Sequence, residues 1–122
     1  MAGILLVEDD TDLRQMLRNA LEKRNHTVIE AKDGRDAIKR FKSSLTDIVI
    51  TDLLMPEQDG IGLIMELRKT RQDIRIIAIS GGGKIGPSNY LDVARALGAD
   101  AVFSKPFNLN TFIEEVERLA GY

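Results

Sequence analysis

Asp47-Ile48-Val49-Ile50-Thr51-Asp52-Leu53-Leu54-Met55-Pro56, running on to Asp59-Gly60, is the stretch that decides the fold. Ile48, Val49 and Ile50 form a continuous β-branched run, the pattern of a strand covered on both faces. The run stops at one acidic residue, Asp52. Pro56 lacks an N–H to donate and Gly60 permits φ > 0, so the strand gives way to a loop. Asp52 is therefore expected at the carboxyl end of a buried strand, the edge where open parallel sheets bind ligands. One acid at one strand end serves equally well as a solvated strand terminator. The other strands have to decide.

They follow in a regular alternation. Ile4-Leu5-Leu6-Val7 predicts a first strand, ending at Glu8-Asp9-Asp10. A helix follows, capped by Asp10 or Thr11, with an apolar stripe of Leu13, Met16, Leu17, Ala20 and Leu21. Thr27 to Ala31 predicts a second strand and Asp33-Gly34 a turn. Ala37, Ile38 and Phe41 give the next helix its apolar face. After the third strand, Ile61, Ile64 and Met65 mark a helix that ends near Lys69. Ile74 to Ile79 is a fourth strand, closed by Ser80. Tyr90, Val93, Ala94 and Leu97 form another helical stripe with Gly98 at its C′ position. Ala101-Val102-Phe103 is a short fifth strand before Ser104-Lys105-Pro106. A last helix carries Leu109, Phe112, Ile113, Val116 and Ala120, with Asn108 or Asn110 as cap. Strand then helix, repeated in this way, implies a parallel α/β sheet with helices on both faces.

Composition narrows the function classes. The chain has 122 residues, 43% of them apolar, a formal charge of −2 and no cysteine. That fits one domain with a real core, read here as a single unit over residues 1–122. No basic stripe argues for nucleic acid or an anionic membrane surface. Disulfides and thiolate metal sites are excluded, and the absence of cysteine fits a reducing, cytoplasmic setting. No apolar run approaches the roughly 18 residues of a membrane span. His26, at a helix–strand turn, is expected on the surface. The Gly81-Gly82-Gly83-Lys84-Ile85-Gly86-Pro87 stretch is not a Walker loop, because Gly83-Lys84 runs into Ile85 rather than Ser or Thr. It reads as a loop.

Parallel strands deliver Glu8, Asp9, Asp52, Ser80 and Lys105 to one edge. Alone, each has an ordinary explanation. The acidic run would favour the positive end of the first helix, Ser80 would be a strand terminator, and Lys105 a solvated lysine. Together they are three carboxylates, a hydroxyl and an ammonium. Carboxylates packed closely call for a cation, and all-oxygen ligands suit Mg²⁺. A carboxylate beside such a cation and a lysine can accept a phosphoryl group.

Val7-Glu8-Asp9-Asp10, Asp52-Leu53-Leu54-Met55-Pro56 with Asp59-Gly60, Ser80-Gly81, Gly98-Ala99-Asp100 and Lys105-Pro106-Phe107 resemble, in order and over nearly the whole chain, the receiver domain of two-component response regulators. The resemblance implies the flavodoxin-like strand order 2-1-3-4-5 and a signalling domain rather than a turnover enzyme, although one that assists its own phosphotransfer and autodephosphorylation. It implies Asp52 as phosphoryl acceptor. Mg²⁺, with Mn²⁺ as the alternative ion, would be held by Asp9, by Glu8 through water, by Asp52 and by the Leu54 carbonyl. Ser80 and the Gly81 N–H would contact the phosphoryl group, Lys105 would pair with it, and the Lys105–Pro106 bond would be cis. The donor would be a histidine kinase or phosphotransfer protein, and the output a downstream protein bound at helix four, strand five and helix five. Neither nucleic acid nor membrane is expected as a direct partner.

Three other readings fit less well. A phosphatase or phosphotransferase of related fold commonly uses an acid two residues after the nucleophile, where this chain has Leu54. A flavin phosphate would meet the acidic edge. A receiver that only docks partners would not need all five polar groups. One departure from the resemblance is Val102, where an aromatic is usual three residues before the lysine. From it follows an expectation that the loop 81–87, rather than strand five, carries the response to phosphorylation.

Overall fold

The computed structural model describes residues 2–53, 60–80 and 87–121, with side chains at all of these except 87–91. Five strands, β1 (Gly3–Val7), β2 (Thr27–Ala31), β3 (Ile48–Asp52), β4 (Arg75–Ser80) and β5 (Ala101–Ser104), form one parallel sheet in the order β2-β1-β3-β4-β5. Five helices alternate with them: α1 (Thr11–Lys23), α2 (Gly34–Lys42), α3 (Gly60–Thr70), α4 (Pro87–Ala96) and α5 (Leu109–Leu119). The fold class and strand order are those expected.

The period of two along each strand builds two cores. Leu5, Val7, Val49, Ile76 and Ala78 face α2, α3 and α4. Ile4, Leu6, Ile48, Ile50, Ile77 and Ile79 face α1 and α5. Every residue of β3 is buried, as its unbroken apolar run requires. No helix among the described residues is long and apolar enough to cross a membrane.

Local signals place most boundaries. Asp10 caps α1 by accepting the Leu13 N–H at 3.1 Å, and Asn108 caps α5 by accepting the Thr111 N–H at 3.0 Å. Gly98, at φ +100°, ends the α4 segment in the left-handed region that glycine tolerates. Asp33-Gly34 is not a free turn. Asp33 accepts the Asp36 N–H at 2.8 Å, so the pair is the cap and first residue of α2. Three side chains assigned to apolar stripes face outward: Met16, Met65 and Val93 are 45%, 49% and 46% exposed. Buried Leu17 with Leu21, and Leu63, Ile64 with Leu67, carry the packing of α1 and α3 instead.

His26 is the clearest correction. It is buried, not on the surface. Its Nδ1 accepts the Ala2 N–H at 3.1 Å, and its Nε2 lies 3.2 Å from Glu117 Oε2 on α5. Ala2 and Glu117 give a polar ring the partners that permit its burial.

Gly60 starts α3 hard against the end of β3. A Cβ there would lie 2.4 Å from the Asp52 carbonyl oxygen and 2.6 Å from Leu53 Cα, both backbone atoms that cannot swing aside. Gly60→Ala should therefore cost about 2–3 kcal/mol by forcing the strand and helix apart. Urea denaturation would measure it; an unchanged midpoint would show that the start of α3 shifts without cost.

Candidate functional site

The carboxyl edge of the sheet gathers the expected groups. β1 and β3 are neighbours in register, Val7 opposite Thr51, so Glu8, Asp9 and Asp52 emerge side by side. One carboxylate oxygen from each of the three lies within 4.8 Å of the others. Glu8 and Asp52 are buried, at 1% and 4% exposure, whereas Asp9 is exposed. Asp10, the fourth acid of the region, is spent on the cap of α1.

Lys105 follows β5 and reaches across β4 to the acids. Its Nζ is 2.8 Å from Asp52 Oδ2 and 3.1 Å from Glu8 Oε1. Its own N–H donates to the Ser80 carbonyl at 2.8 Å, which extends the β4–β5 ladder and fixes where the side chain starts. The Lys105–Pro106 bond is cis. Ser80 closes β4 fully buried, next to Asp52 on the neighbouring strand. Leu54, Gly81 and the stretch 81–86 lie outside the described residues, as does the side chain of Pro87.

Electrostatics at this edge are unbalanced. Burial pushes the Glu8 carboxyl up from 4.5 to about 7, and the Asp52 charge adds to it, against the Asp10 N–H bond and Lys105. Burial disfavours the Lys105 ammonium too, but the hydrogen bond and charge of Asp52, with Glu8 behind them, outweigh it and hold the amine above its usual value. One ammonium cannot neutralise three carboxylates. Among the described residues, buried Glu8 Oε1 has the Lys105 ammonium 3.1 Å away as an ion-pair partner but no well-formed hydrogen bond. A dense all-oxygen set, with a buried oxygen left unsatisfied, fits a hard divalent cation such as Mg²⁺.

One feature left no mark in the sequence pattern. Arg14 Nη1 on α1 donates to the Glu8 carbonyl at 2.6 Å, and its Nε to Glu30 Oε1 at 2.7 Å. A main-chain acceptor has no residue type, so spacing alone cannot reveal it. The aromatic ring of β5 is also displaced by one position. Val102 packs in the core facing α2, α3 and α4, while Phe103 points to the other face. There it joins Phe107 and Phe112, with ring centroids 5.2–5.6 Å apart.

Known proteins carry the same pattern. A family model described as the response regulator receiver domain matches residues 4–117. The chain is 36% identical to the response regulator receiver protein CpdR of Brucella abortus, over 98% of this chain and 97% of that protein. It is 33% identical to the chemotaxis protein CheY of Bacillus subtilis, over 94% of each. The response regulator protein TrrA of Thermotoga maritima, solved in complex with Mg²⁺-BeF, superposes with a TM-score of 0.84 at 30% identity, covering 98% of this chain and 99% of that one. Other relatives are longer, and the chain spans less than half of them.

The raised Glu8 value sets a pH dependence for the metal-free protein. A carboxyl with a higher value folded than unfolded binds more protons when folded. Its stabilising contribution is complete below 4.5 and is lost as pH rises through about 7. The loss across this window is on the order of 3 kcal/mol. Glu8→Gln should flatten the dependence. Urea denaturation of both proteins without metal, between about pH 5 and pH 8, would show it; parallel curves would mean that Glu8 ionises like an exposed carboxyl.

Proposed function

The chain belongs to the response regulator receiver domain family, and on that premise we propose that Asp52 is the residue that accepts the phosphoryl group. The domain is a phosphoacceptor signalling domain of a two-component system. The observation that carries the assignment is the setting of Asp52. It is buried, 2.8 Å from the Lys105 ammonium, and within 4.8 Å of the carboxylates of Glu8 and Asp9.

In this reading, residues 1–122 form one receiver unit, and a histidine kinase or phosphotransfer protein in the cytoplasm is the donor. The P–N bond of its phosphohistidine breaks as a P–O bond to an Asp52 carboxylate oxygen forms. Asp9 and Asp52 would hold Mg²⁺ directly and Glu8 through water, and the family resemblance would add the Leu54 carbonyl. When bound, the cation neutralises charge on the phosphoryl oxygens. Lys105 supplies a second positive charge at the same place, because its amine stays protonated beside Asp52. By the family resemblance, the Ser80 hydroxyl and the Gly81 N–H would donate to the phosphoryl group.

The loop 81–87, expected to carry the response, lies largely outside the described residues; a second route to the output starts from the same lysine. A phosphoryl group on Asp52 adds negative charge and moves the optimum position of the ammonium. Lys105 is joined through β5 to Phe103, and Phe103 packs on Phe112 of α5 at 5.3 Å. Support for a binding face at α4, β5 and α5 comes from this route and from Val93, an exposed apolar residue on α4. Charge at Asp52 would shift that face between two packings, and a partner would select one of them.

Incubation with a small acyl phosphate and Mg²⁺ should add the mass of one phosphoryl group to the intact protein. Asp52→Asn should abolish the gain, and Asp9→Asn should reduce it to the level seen without metal while the fold persists. Uptake by Asp52→Asn at the wild-type rate would move the acceptor elsewhere. Lys105→Arg should take up the group yet lose phosphorylation-dependent partner binding, because the planar guanidinium cannot occupy the position of a compact ammonium. Calorimetry of partner binding, beside thermal melts, separates that loss from a loss of fold.

A further inference from the structure

Glu8 is held at four points. Its N–H donates to the Ala31 carbonyl at 3.3 Å. Its Oε2 accepts the Asp10 N–H at 3.0 Å, and its Oε1 faces the Lys105 ammonium at 3.1 Å. The fourth point is its carbonyl, which takes the Arg14 guanidinium at 2.6 Å. That carbonyl belongs to the peptide unit joining Glu8 to Asp9. Rotation of this unit would change the Asp9 side chain's position relative to Glu8. β1 ends at Val7, so the ladder with β2 has almost run out here.

We infer that Arg14 is a positioning residue for the divalent-cation site, locking the Glu8–Asp9 peptide plane, and that Glu30 holds Arg14 in that position. The inference rests on reading Glu8, Asp9 and Asp52 as the cation site. Arg14 is only 19% exposed, and its fork spans two acceptors at once, the Glu8 carbonyl and Glu30 Oε1 at 2.7 Å. Glu30 stands on β2 opposite Leu6 and is also bound by Arg18, which in turn pairs with Glu22 at 3.1 Å. Two guanidiniums and two carboxylates sum to zero charge. Arg14 therefore does not act on the site as a free cation. What it contributes is geometry, as outer partners of metal ligands do.

A rival account treats Arg14 as a charge near the metal. Coulomb repulsion would then make its removal tighten Mg²⁺ binding, its replacement by lysine neutral, and the loss of the Glu30 carboxylate weakening. The positioning account has the first two differ. Arg14→Gln should weaken Mg²⁺ about tenfold, in the range that outer-partner substitutions reach. Arg14→Lys should weaken it comparably, because an ammonium cannot reproduce the planar fork. Glu30→Gln should weaken it less.

The experiment is calorimetric titration of Mg²⁺ into the metal-free full chain for wild type and the three variants. Metal-free thermal melts and the Asp9 and Asp10 amide resonances accompany it. The inference expects weaker binding and shifted Asp9 and Asp10 amides in Arg14→Lys, with a metal-free melting temperature close to wild type. Arg14→Lys decides the matter if Arg14→Gln fails to fold. Wild-type affinity or tighter in Arg14→Lys overturns the inference and leaves the cation site standing. A collapse of the metal-free melting temperature in step with affinity overturns it too, by making the role one of general stability. A wild-type chain that binds no Mg²⁺ removes the cation site itself, and the inference with it.

Discussion

Two carboxylates buried side by side, Glu8 and Asp52, with a single ammonium between them, are the constraint on which this structure turns. Removing charge from water is costly, and like charges in a dry site raise one another's affinity for protons. Lys105 relieves part of this. The remainder appears in Glu8, whose carboxyl is pushed to about 7. A proton or a further cation would complete the balance, and Asp9, exposed at the rim, adds a third carboxylate to the group. Lys105 is already held between the two carboxylates, so its positive charge stands at this edge without reorganisation.

The topology supplies the assembly. With β1 and β3 adjacent at the centre of the sheet, Glu8 and Asp9 after one and Asp52 at the end of the other emerge as neighbours. β4 stands between them and β5, so only a side chain as long as lysine crosses from the fifth strand to the third. Ser80 sits under that crossing, and its carbonyl anchors the Lys105 backbone at 2.8 Å. The tight start of α3 at Gly60, which leaves no room for a side chain beside the Asp52 carbonyl, completes the frame. Position in the sheet order, strand length and side-chain reach are together what bring the five groups to one edge.

Much of this was legible in the residues. The β-branched run before Asp52, the strand–helix alternation, the C-terminal Gly98 and the caps, each narrowed to two candidates of which the fold uses Asp10 and Asn108, are local signals, and local signals survive folding. Strand order was not legible from periodicity; it came from the family resemblance. Features that depend on distant partners were missed. His26 reads as a surface residue until Ala2 and Glu117 are brought against it. Met16, Met65 and Val93 match their helical stripes in spacing, yet each lies at the margin of its stripe, where the core ends. Arg14 reads as one more charged residue on an exposed helix face, because its acceptor at Glu8 is backbone.

The burial of His26 bears on how the chain is threaded. Ala2 and Glu117 meet across its ring, and Ala2, Leu119 and Ala120 line one shallow depression at the amino edge of the sheet. The two ends of the described chain are therefore close together, on the side away from Asp52. A short linker joining them would spare the acidic edge and every strand pairing. The fold is thus suited to circular permutation, with the His26 contact as the seam over which the new connection passes.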